Sequence, residues 1–282
     1  MRVAFLGPEG TFTEEALRAS VRERVEEVPY PSVYETVMAV QVGEVDRAVV
    51  PIENSLEGSV TATLDALAGE ASDVRIAAEV VHPIRHCLIS REELSLGAVR
   101  RVISHPQATA QCAQFLRANL PQAEHESAGS TADAVRAVAE SGEPWAALGS
   151  RLAAELYRCR LLAEGVEDRP DNLTRFVWLA RGGDFAHVAP SKTSIVFWGF
   201  NDESPGALVG VLGEFARRNV NLTKIESRPR RVRLGHYMFF ADLEGGRSDP
   251  PVAEALEALR ARVETIRVLG SYPAARAPDS AA

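Results

Sequence analysis

The sequence is poor in cysteine, with three residues among 282. Cys87, Cys112 and Cys159 form no CxxC pair and cannot all pair within one chain, so a disulfide framework is not expected. Each is interpreted as a small buried hydrophobe rather than a nucleophile. His82 and His86 are spaced as a helical metal pair would be, but the residues around them indicate a strand interrupted by proline. We therefore predict no metal site.

Long apolar runs and excess positive charge are also lacking. No run reaches the 18 residues typical of a membrane helix, and the apolar run in MRVAFLGPEG is too short for a signal peptide. The formal net charge of -8 argues against a nucleic-acid-binding protein, which usually presents a basic face. We therefore expect a soluble cytoplasmic protein that binds neither nucleic acid nor membrane.

The first 180 residues alternate short apolar runs with helical patterns, which predicts an α/β domain, residues 1–182, with mostly parallel sheets. The run 74–89 and the segment 171–180 could both cross between two lobes. This interpretation places lobe 1 at about residues 1–83 plus 169–182, and lobe 2 at about 84–168. The predicted strands are Arg2–Leu6, Arg47–Ile52, Val74–Ile89, Arg101–Ser104, Ala146–Leu148 and Arg175–Ala180. The predicted helices are Thr13–Glu26, Val33–Val42, Val60–Ala68, Gln107–Asn119, Thr131–Ser141 and Arg151–Tyr157.

A second domain follows an aperiodic segment, 182–191, that is typical of a linker. Residues 192–270 read as strand, helix, strand, strand, helix and strand, which is the βαββαβ order of a ferredoxin-like domain. Ser204-Pro205 and Asp249-Pro250 have the pattern of a capping residue followed by proline in the first helical turn. Residues 271–282 are predicted to be a disordered tail.

The strands of the first domain run into residues that can cap a following helix. Leu6 precedes GPEGTFTE, Ile52 precedes ENSLEGS and Ile103 precedes SHPQ. In a parallel sheet such turns lie at the carboxyl ends of the strands, where open α/β folds bind ligands. Helix N-termini there present free N–H groups and the positive end of the helix dipole. Several of them around one cleft would suit a small polyanion.

Motifs of several enzyme classes are missing. The chain has no GxGxxG, no GxxxxGK[ST], no GxSxG and no obvious Ser/His/Asp set, so neither a nucleotide nor any other cofactor is indicated. A strand with a polar entrance, DNLTRFVWLA, supplies the cation Arg175. Neutral hydrogen-bond donors with one cation can bind a carboxylate and stabilise a departing oxygen without a strong base.

Seven segments, in order over about residues 2 to 270, carry a family resemblance. They are GPEGTFTEEA (7–16), VPIENSLEGSV (50–60), ISHPQATAQC (103–112), STADA (130–134), DNLTRF (171–176), GALV (206–209) and NLTKIESRP (221–229). They resemble prephenate dehydratases with a C-terminal ACT regulatory domain, and the absence of a mutase-like segment suggests the monofunctional form. The resemblance implies a bilobal catalytic domain similar to type II periplasmic binding proteins. It also implies that prephenate loses its ring hydroxyl and ring carboxylate to give phenylpyruvate, on the path to phenylalanine.

The resemblance also assigns roles in the cleft. Thr174 corresponds to the catalytic threonine, whose hydroxyl hydrogen-bonds to the departing hydroxyl, and Arg175 would pair with a substrate carboxylate through its planar fork. Phe176 packs against the substrate ring or belongs to the strand core. The other catalytic residues implied are Asn54, Ser104 and Gln111. The other substrate-binding residues implied are Thr11, Ser55 and Ser130.

In the second domain the resemblance implies an allosteric phenylalanine site at an interface between two ACT domains, in a homodimer or homotetramer. Gly206 lets the helix start approach a neighbouring backbone, and the turn before it offers N–H groups to a carboxylate. The residues implied in this site are Ser204, Pro205, Gly206, Ala207, Leu208, Asn219, Asn221, Leu222 and Glu226.

Two other functions remain open at this point. An arogenate dehydratase would use the same fold and chemistry on the aminated substrate, and no residue separates the two. A non-catalytic amino-acid sensor would keep the two-lobed fold and the ACT domain. The complete set of predicted catalytic residues argues against the sensor, because a sensor has no need of them.

Overall fold

The computed structural model describes residues 1–21, 23–182, 189–200 and 204–275. The described chain forms one sheet of ten strands and one of five. Both are covered by helices, which matches the predicted α/β class. No helix in the described ranges has the length and apolar character needed to cross a membrane.

Lobe 1 contains the first part of the larger sheet. Its apolar strand residues alternate between two helical layers, with Val3 and Phe5 packed on one face and Ala4 on the other. The elements are β1 (Arg2–Leu6), α1 (Phe12–Ser20), β2 (Glu26–Tyr30), α2 (Val33–Val42), β3 (Arg47–Asn54), β4 (Gly58–Ser59), α3 (Thr61–Ala68) and β5 (Val74–Pro83).

Lobe 2 is built on the five-stranded sheet. The chain enters it after β5 and leaves it through β11, the strand that returns to lobe 1 between β5 and β3. The elements of lobe 2 are β6 (Cys87–Ser90), a 3₁₀ turn (Leu96–Ala98), β7 (Arg101–Ser104), α4 (Pro106–Gln111), α5 (Ala113–Asn119), β8 (Glu124–Ser127), α6 (Thr131–Glu140), β9 (Trp145–Gly149), α7 (Arg151–Leu156) and β10 (Arg160–Glu164). The returning strand of lobe 1 is β11 (Leu173–Arg181).

The C-terminal domain has the predicted ferredoxin-like order, with strands arranged β13-β14-β12-β15. Its β15 pairs in parallel with β5, where Gly270 faces Ile76, so this domain extends the sheet of lobe 1. A Cβ atom on Gly270 would overlap the Ile76 carbonyl oxygen, so only glycine allows this approach. The elements are β12 (Lys192–Trp198), α8 (Ala207–Ala216), β13 (Leu222–Pro229), β14 (Tyr237–Glu244), α9 (Pro250–Arg260) and β15 (Thr265–Tyr272).

Several features differ from the sequence-based predictions. The sheets of residues 1–182 are mixed rather than mostly parallel, because β11 runs antiparallel to β3 and β5, and β6 runs antiparallel to β9 and β10. The first helix ends at Ser20, and the following segment forms β2 alongside β1. The predicted strand 74–89 is two strands, and the predicted helix 107–119 is two helices that meet at Cys112. Helix α8 is capped by Gly206 with a φ of 82°, so Ser204 and Pro205 precede the helix rather than start it.

The predicted tail is partly wrong. Strand β15 continues through Tyr272, whose side chain is fully buried in the core shared by lobe 1 and the C-terminal domain. Residues 276–282 of that tail, and residues 183–188 of the predicted linker, lie outside the described ranges.

Candidate active site

The site is centred on Thr174 and Asn54, which face each other on the antiparallel strands β11 and β3. Asn54 Nδ2 donates a hydrogen bond to Thr174 Oγ1 over 2.8 Å. Asn54 Oδ1 accepts from the backbone N–H groups of Leu56 and Glu57, both at 3.0 Å, and these fixed donors determine the orientation of the amide. Because Thr174 Oγ1 already accepts a hydrogen bond, its own proton is left for a further acceptor.

A chain of amides continues from this pair into lobe 2. Asn54 Nδ2 also donates to Asn172 Oδ1 at 2.8 Å, and Asn172 Nδ2 donates to Gln111 Oε1 at 3.1 Å. His86 Nε2 lies 3.1 Å from the same Gln111 oxygen. An amide oxygen only accepts, so His86 carries its proton on Nε2. We call Thr174, Asn54, Asn172, Gln111 and His86 the amide relay, which joins both lobes at the crossing segments.

His86 is neutral in this environment. Its side chain is almost fully buried, at 2% exposure, and packs edge-to-face against Phe12. Burial lowers the pKa of His86, opposed by the hydrogen bond to Gln111 and by the charges of Glu167 and Glu15. Its Nδ1 atom has no hydrogen-bond partner in the described ranges. The relay therefore ends in a buried, uncharged imidazole.

Arg175 does not lie in the cleft as predicted. Successive side chains of a strand point to opposite faces, so Arg175 lies on the face away from Thr174. Its guanidinium group contacts Glu79 and Asp242, each at 2.6 Å, and Tyr272 Oη at 2.8 Å. These partners hold Arg175 at the boundary with the C-terminal domain, and its pairing with a substrate carboxylate stays a prediction that these contacts do not support.

Phe176 belongs to the core of lobe 1. It is 1% exposed and packs with residues of β1 and α1. Its ring also contacts His82 edge-to-face, with centroids 6.5 Å apart. Of its two predicted roles, this burial supports the one in the strand core, and packing against a substrate ring stays a prediction.

The four other predicted hydroxyls each hold local structure. Ser104 Oγ donates to the Leu148 carbonyl at 2.9 Å, and Ser55 Oγ accepts from the backbone N–H of Leu173 at 2.9 Å. The remaining two cap helices α1 and α6 and are Thr11 and Ser130. Contact of these hydroxyls with a substrate stays a prediction.

The lobes also touch through their strand-end turns. Ser150 Oγ donates to the Gly10 carbonyl at 2.7 Å, and the Leu152 N–H donates to Glu15 Oε1 at 3.2 Å. These contacts join the turn after β1 and helix α1 to the start of α7. The two lobes are therefore joined by these contacts as well as by the relay.

A cavity of about 240 Å³ lies at the start of α8 in the C-terminal domain. Phe200, Tyr237 and Phe239 supply aromatic surface there. Four residues of the predicted phenylalanine site also line it and are Ser204, Gly206, Ala207 and Leu208. The other five do not line it within one chain and are Pro205, Asn219, Asn221, Leu222 and Glu226.

Sequence reasoning missed two members of the relay. Asn172 stands in the segment DNLTRF, and its place two residues before Thr174 on the returning strand was the available signal. His86 was considered only as a metal ligand. Its contact with Gln111 joins residues 25 positions apart, and no sequence pattern records that contact.

Fold and site together define a class: a two-lobed α/β enzyme domain with a neutral amide and hydroxyl site, joined to a ferredoxin-like domain. The prephenate dehydratase family profile matches residues 3–184, and the ACT domain profile matches residues 193–261. A prephenate dehydratase of Mycolicibacterium vanbaalenii is 41% identical over 286 residues, covering 96% of this chain and 90% of the relative. The chain belongs to the prephenate dehydratase family, a family of hydro-lyases, and carries an ACT domain.

Several solved structures are similar over nearly the whole chain, and two of them have different descriptions. The prephenate dehydratase of Arthrobacter aurescens in complex with L-Phe has a TM-score of 0.89 and 39% identity, covering 97% of this chain and 90% of that one. GqqA, described as a novel type of quorum quenching acylase, has a TM-score of 0.87 and 32% identity, covering 97% and 98%. The fold is therefore shared by proteins described with two different activities.

Proposed function

We propose that this chain converts prephenate to phenylpyruvate in phenylalanine biosynthesis. The observation that carries the proposal is the Thr174 hydroxyl, which accepts from Asn54 and so has its proton available for a departing oxygen. Of the predicted catalytic set, Thr174, Asn54 and Gln111 lie together in the relay.

The reaction needs orientation more than acid or base strength. The bond between the ring and its carboxylate breaks, and carbon dioxide leaves. The electron pair enters the ring, and the C–O bond on the opposite carbon breaks to release hydroxide, which takes up a proton to become water. Aromatisation drives this step, so the site has mainly to hold the substrate and stabilise the departing oxygen. Threonine is too weak an acid to protonate that oxygen freely, so Thr174 acts by hydrogen bonding.

The relay supports this role in two ways. A hydroxyl that accepts a hydrogen bond becomes a better donor, so Asn54 strengthens the bond that Thr174 can give. Gln111 Nε2 makes one long contact, 3.5 Å to Glu57 Oε1, among the described residues. Its protons are therefore the second set of donors that the relay offers to a ligand.

The chemistry of the relay also weighs against acyl transfer. In the described ranges, the hydrogen bond of the Thr174 hydroxyl is with the Asn54 amide, not with a carboxylate or an imidazole. A nucleophilic threonine needs an adjacent base. We therefore do not carry the acylase description of GqqA to this chain.

L-phenylalanine is proposed as the allosteric effector, bound in the cavity at the start of α8. Gly206 caps helix α8, where backbone N–H groups suit a carboxylate, and the aromatic residues around them suit a phenyl ring. Pro205 belongs to the same turn as Ser204 and Gly206. The other four predicted residues outside the cavity would complete the site at an interface with a second copy, in a homodimer or homotetramer. That part of the proposal, and a cytoplasmic location, remain predictions.

Turnover of prephenate and of arogenate, with and without L-phenylalanine, tests the proposal. We expect phenylpyruvate from prephenate and a fall in rate as L-phenylalanine is added. Preferred turnover of arogenate would make the chain an arogenate dehydratase. Binding of phenylalanine with turnover of neither substrate would identify it as an amino-acid sensor.

A further inference from the structure

The far side of the catalytic strand pair is bound to the C-terminal domain. Arg175 and Glu53 face each other in the β11–β3 register, one position from Thr174 and Asn54. Strand β3 has an extra residue at a bulge, since Arg175 pairs with Glu53 and Phe176 with Pro51. The catalytic pair therefore presents its amide and hydroxyl to the cleft, and the charged pair faces the ACT domain.

Six charged side chains, three of each sign, form what we call the interdomain ion cluster. Its centre is Arg175, which contacts Glu79 of β5 and Asp242 of β14 at 2.6 Å and Glu53 at 3.4 Å. Lys192 of β12 contacts Glu79 at 2.7 Å. The members are Glu53, Glu79, Arg175, Lys192, Lys224 and Asp242.

A second set of contacts binds the two ends of the turn that follows Asn54 to the C-terminal domain. Lys224 of β13 lies 2.9 Å from Glu53 and donates to Ser59 Oγ at 2.7 Å. Ser59 in turn donates to Glu226 at 3.1 Å. Lys224 and Glu226 both belong to the segment NLTKIESRP, so this regulatory segment directly holds both ends of the turn between β3 and β4.

The central members of the cluster are so buried that separating them would cost considerable free energy. The side chains of Glu79, Asp242 and Arg175 are 1%, 8% and 11% exposed. Burial alone would lower the pKa of Arg175, but Tyr272, Asp242 and Glu79 together raise it, so the guanidinium stays charged. Removing one partner of such a cluster leaves a buried charge unpaired. A movement of β13 or β14 therefore has to move the ends of β11 and β3 as well.

We propose that Arg175 and Glu53 are positioning residues that couple the arrangement of the ACT domain to Thr174 and Asn54. This inference rests on the proposed function, because it concerns the same site and effector. When the effector moves β13 and β14, the cluster shifts the two strand ends. The distance or angle between the Asn54 amide and the Thr174 hydroxyl then changes, and turnover falls.

The test compares two interdomain ion pairs in the full chain. Asp242→Asn removes the charge that contacts Arg175. Asp65→Asn is the matched control, because Asp65 of α3 binds Arg228 and Arg231 across the same boundary without touching β11 or β3. For each variant we would measure how strongly L-phenylalanine inhibits prephenate turnover. Calorimetry measures the binding of L-phenylalanine to each variant, and thermal melting verifies that each variant folds.

We expect Asp242→Asn to bind L-phenylalanine but to lose about 5- to 150-fold in inhibition, the usual size of an allosteric coupling. Asp65→Asn should remain inhibited. Wild-type inhibition of Asp242→Asn, or equal loss in both variants, would overturn the proposal. If Asp242→Asn does not fold, Lys224→Gln, which removes the charge that contacts Glu53 rather than the one that contacts Arg175, should show a smaller loss of inhibition. An unchanged response in that variant would equally overturn the proposal.

Absence of prephenate turnover or of phenylalanine binding in the wild type would instead refute the proposed function.

Arg175→Lys separates positioning from substrate binding. Lysine keeps one charge but cannot reach all of the Arg175 partners with a planar fork. We expect kcat to fall and the KM for prephenate to change little, because Arg175 does not face the cleft. A large rise in KM with kcat preserved would show that Arg175 binds a substrate carboxylate and would overturn its role as a positioning residue.

Discussion

At the scale of single residues, Thr174 is the member of the relay whose proton is available for a leaving group. We expect Thr174→Ala to lower kcat by about 10²- to 10³-fold, the usual cost of removing one donor to a developing oxyanion. The KM for prephenate should change less, since the hydrogen bond forms mainly as the oxygen departs. Thr174→Ser keeps the hydroxyl and should retain most of the turnover. Steady-state rates of phenylpyruvate formation compare the three proteins, and a fully active alanine variant would remove Thr174 from its role.

His86 should make the protein less stable in mild acid. Burial lowers its pKa below the ordinary value of about 6.5, so between the two values the unfolded chain binds more protons. The free energy of unfolding should therefore fall as pH drops below about 6.5, by at most about 1.4 kcal/mol per pH unit, until the pKa of the folded state is reached. His86→Gln keeps a donor toward Gln111 and does not titrate. Urea unfolding of both proteins is measured between pH 5 and 8. As pH falls, the free energy of unfolding should decrease more steeply for the wild type than for His86→Gln, and parallel curves would contradict the assignment.

The site residues were only partly predictable, for geometric reasons. Thr174, Asn54 and Gln111 were found because their segments carry the family pattern. Arg175 was assigned to the cleft although the alternation of a strand allows only one residue of the pair Thr174-Arg175 to face it. Which of the two residues faces the cleft depends on the position of the ACT domain. The partners of Arg175, Asp242 and Tyr272, are 67 and 97 positions away from it in sequence.

At the scale of elements, the junction of β15 with β5 depends on one glycine. A Cβ on Gly270 would overlap the Ile76 carbonyl oxygen and lie 2.8 Å from Ile76 Cβ. We expect Gly270→Ala to cost about 1–3 kcal/mol of stability, as overpacking usually does. Gly210→Ala in α8 is the control, because its Cβ would meet no atom within 4 Å and alanine favours a helix. Thermal melting should show a lower Tm for Gly270→Ala alone, and equal values would refute the close-packing argument.

Element prediction succeeded where strands are apolar and failed at sheet edges. The bounds of β1 and β7 are those predicted, and both strands have buried interiors. Strands β2, β8 and β10 were missed, and each lies at the end of its sheet. Edge strands are often polar, and all four residues of β8 are exposed. Such a strand shows no hydrophobic alternation, so it can be recognised only in the structure, from its hydrogen bonds to the neighbouring strand.

At the scale of the whole molecule, the two domains were predicted separately but share one sheet and one core. The pairing of β15 with β5 joins residues far apart in sequence, which periodicity does not record. Tyr272 illustrates the consequence. Its surroundings in sequence, SYPAARAP, look like a tail, yet its side chain is buried and its hydroxyl contacts Arg175 and Ser194. The regulatory domain is therefore also part of the support of the catalytic strands.

This shared support leads to a prediction that spans the molecule. L-phenylalanine bound at the start of α8 should change amide hydrogen exchange in residues 53–59 and 172–176 as well as in the ACT domain. The reason is that Lys224, Glu226 and Asp242 contact both segments directly or through the ion cluster. Mass spectrometry of exchange with and without L-phenylalanine measures this, and in Asp242→Asn the change at 172–176 should shrink. Changes confined to residues 193–272 in the wild type would mean that the effector does not act through the interdomain ion cluster.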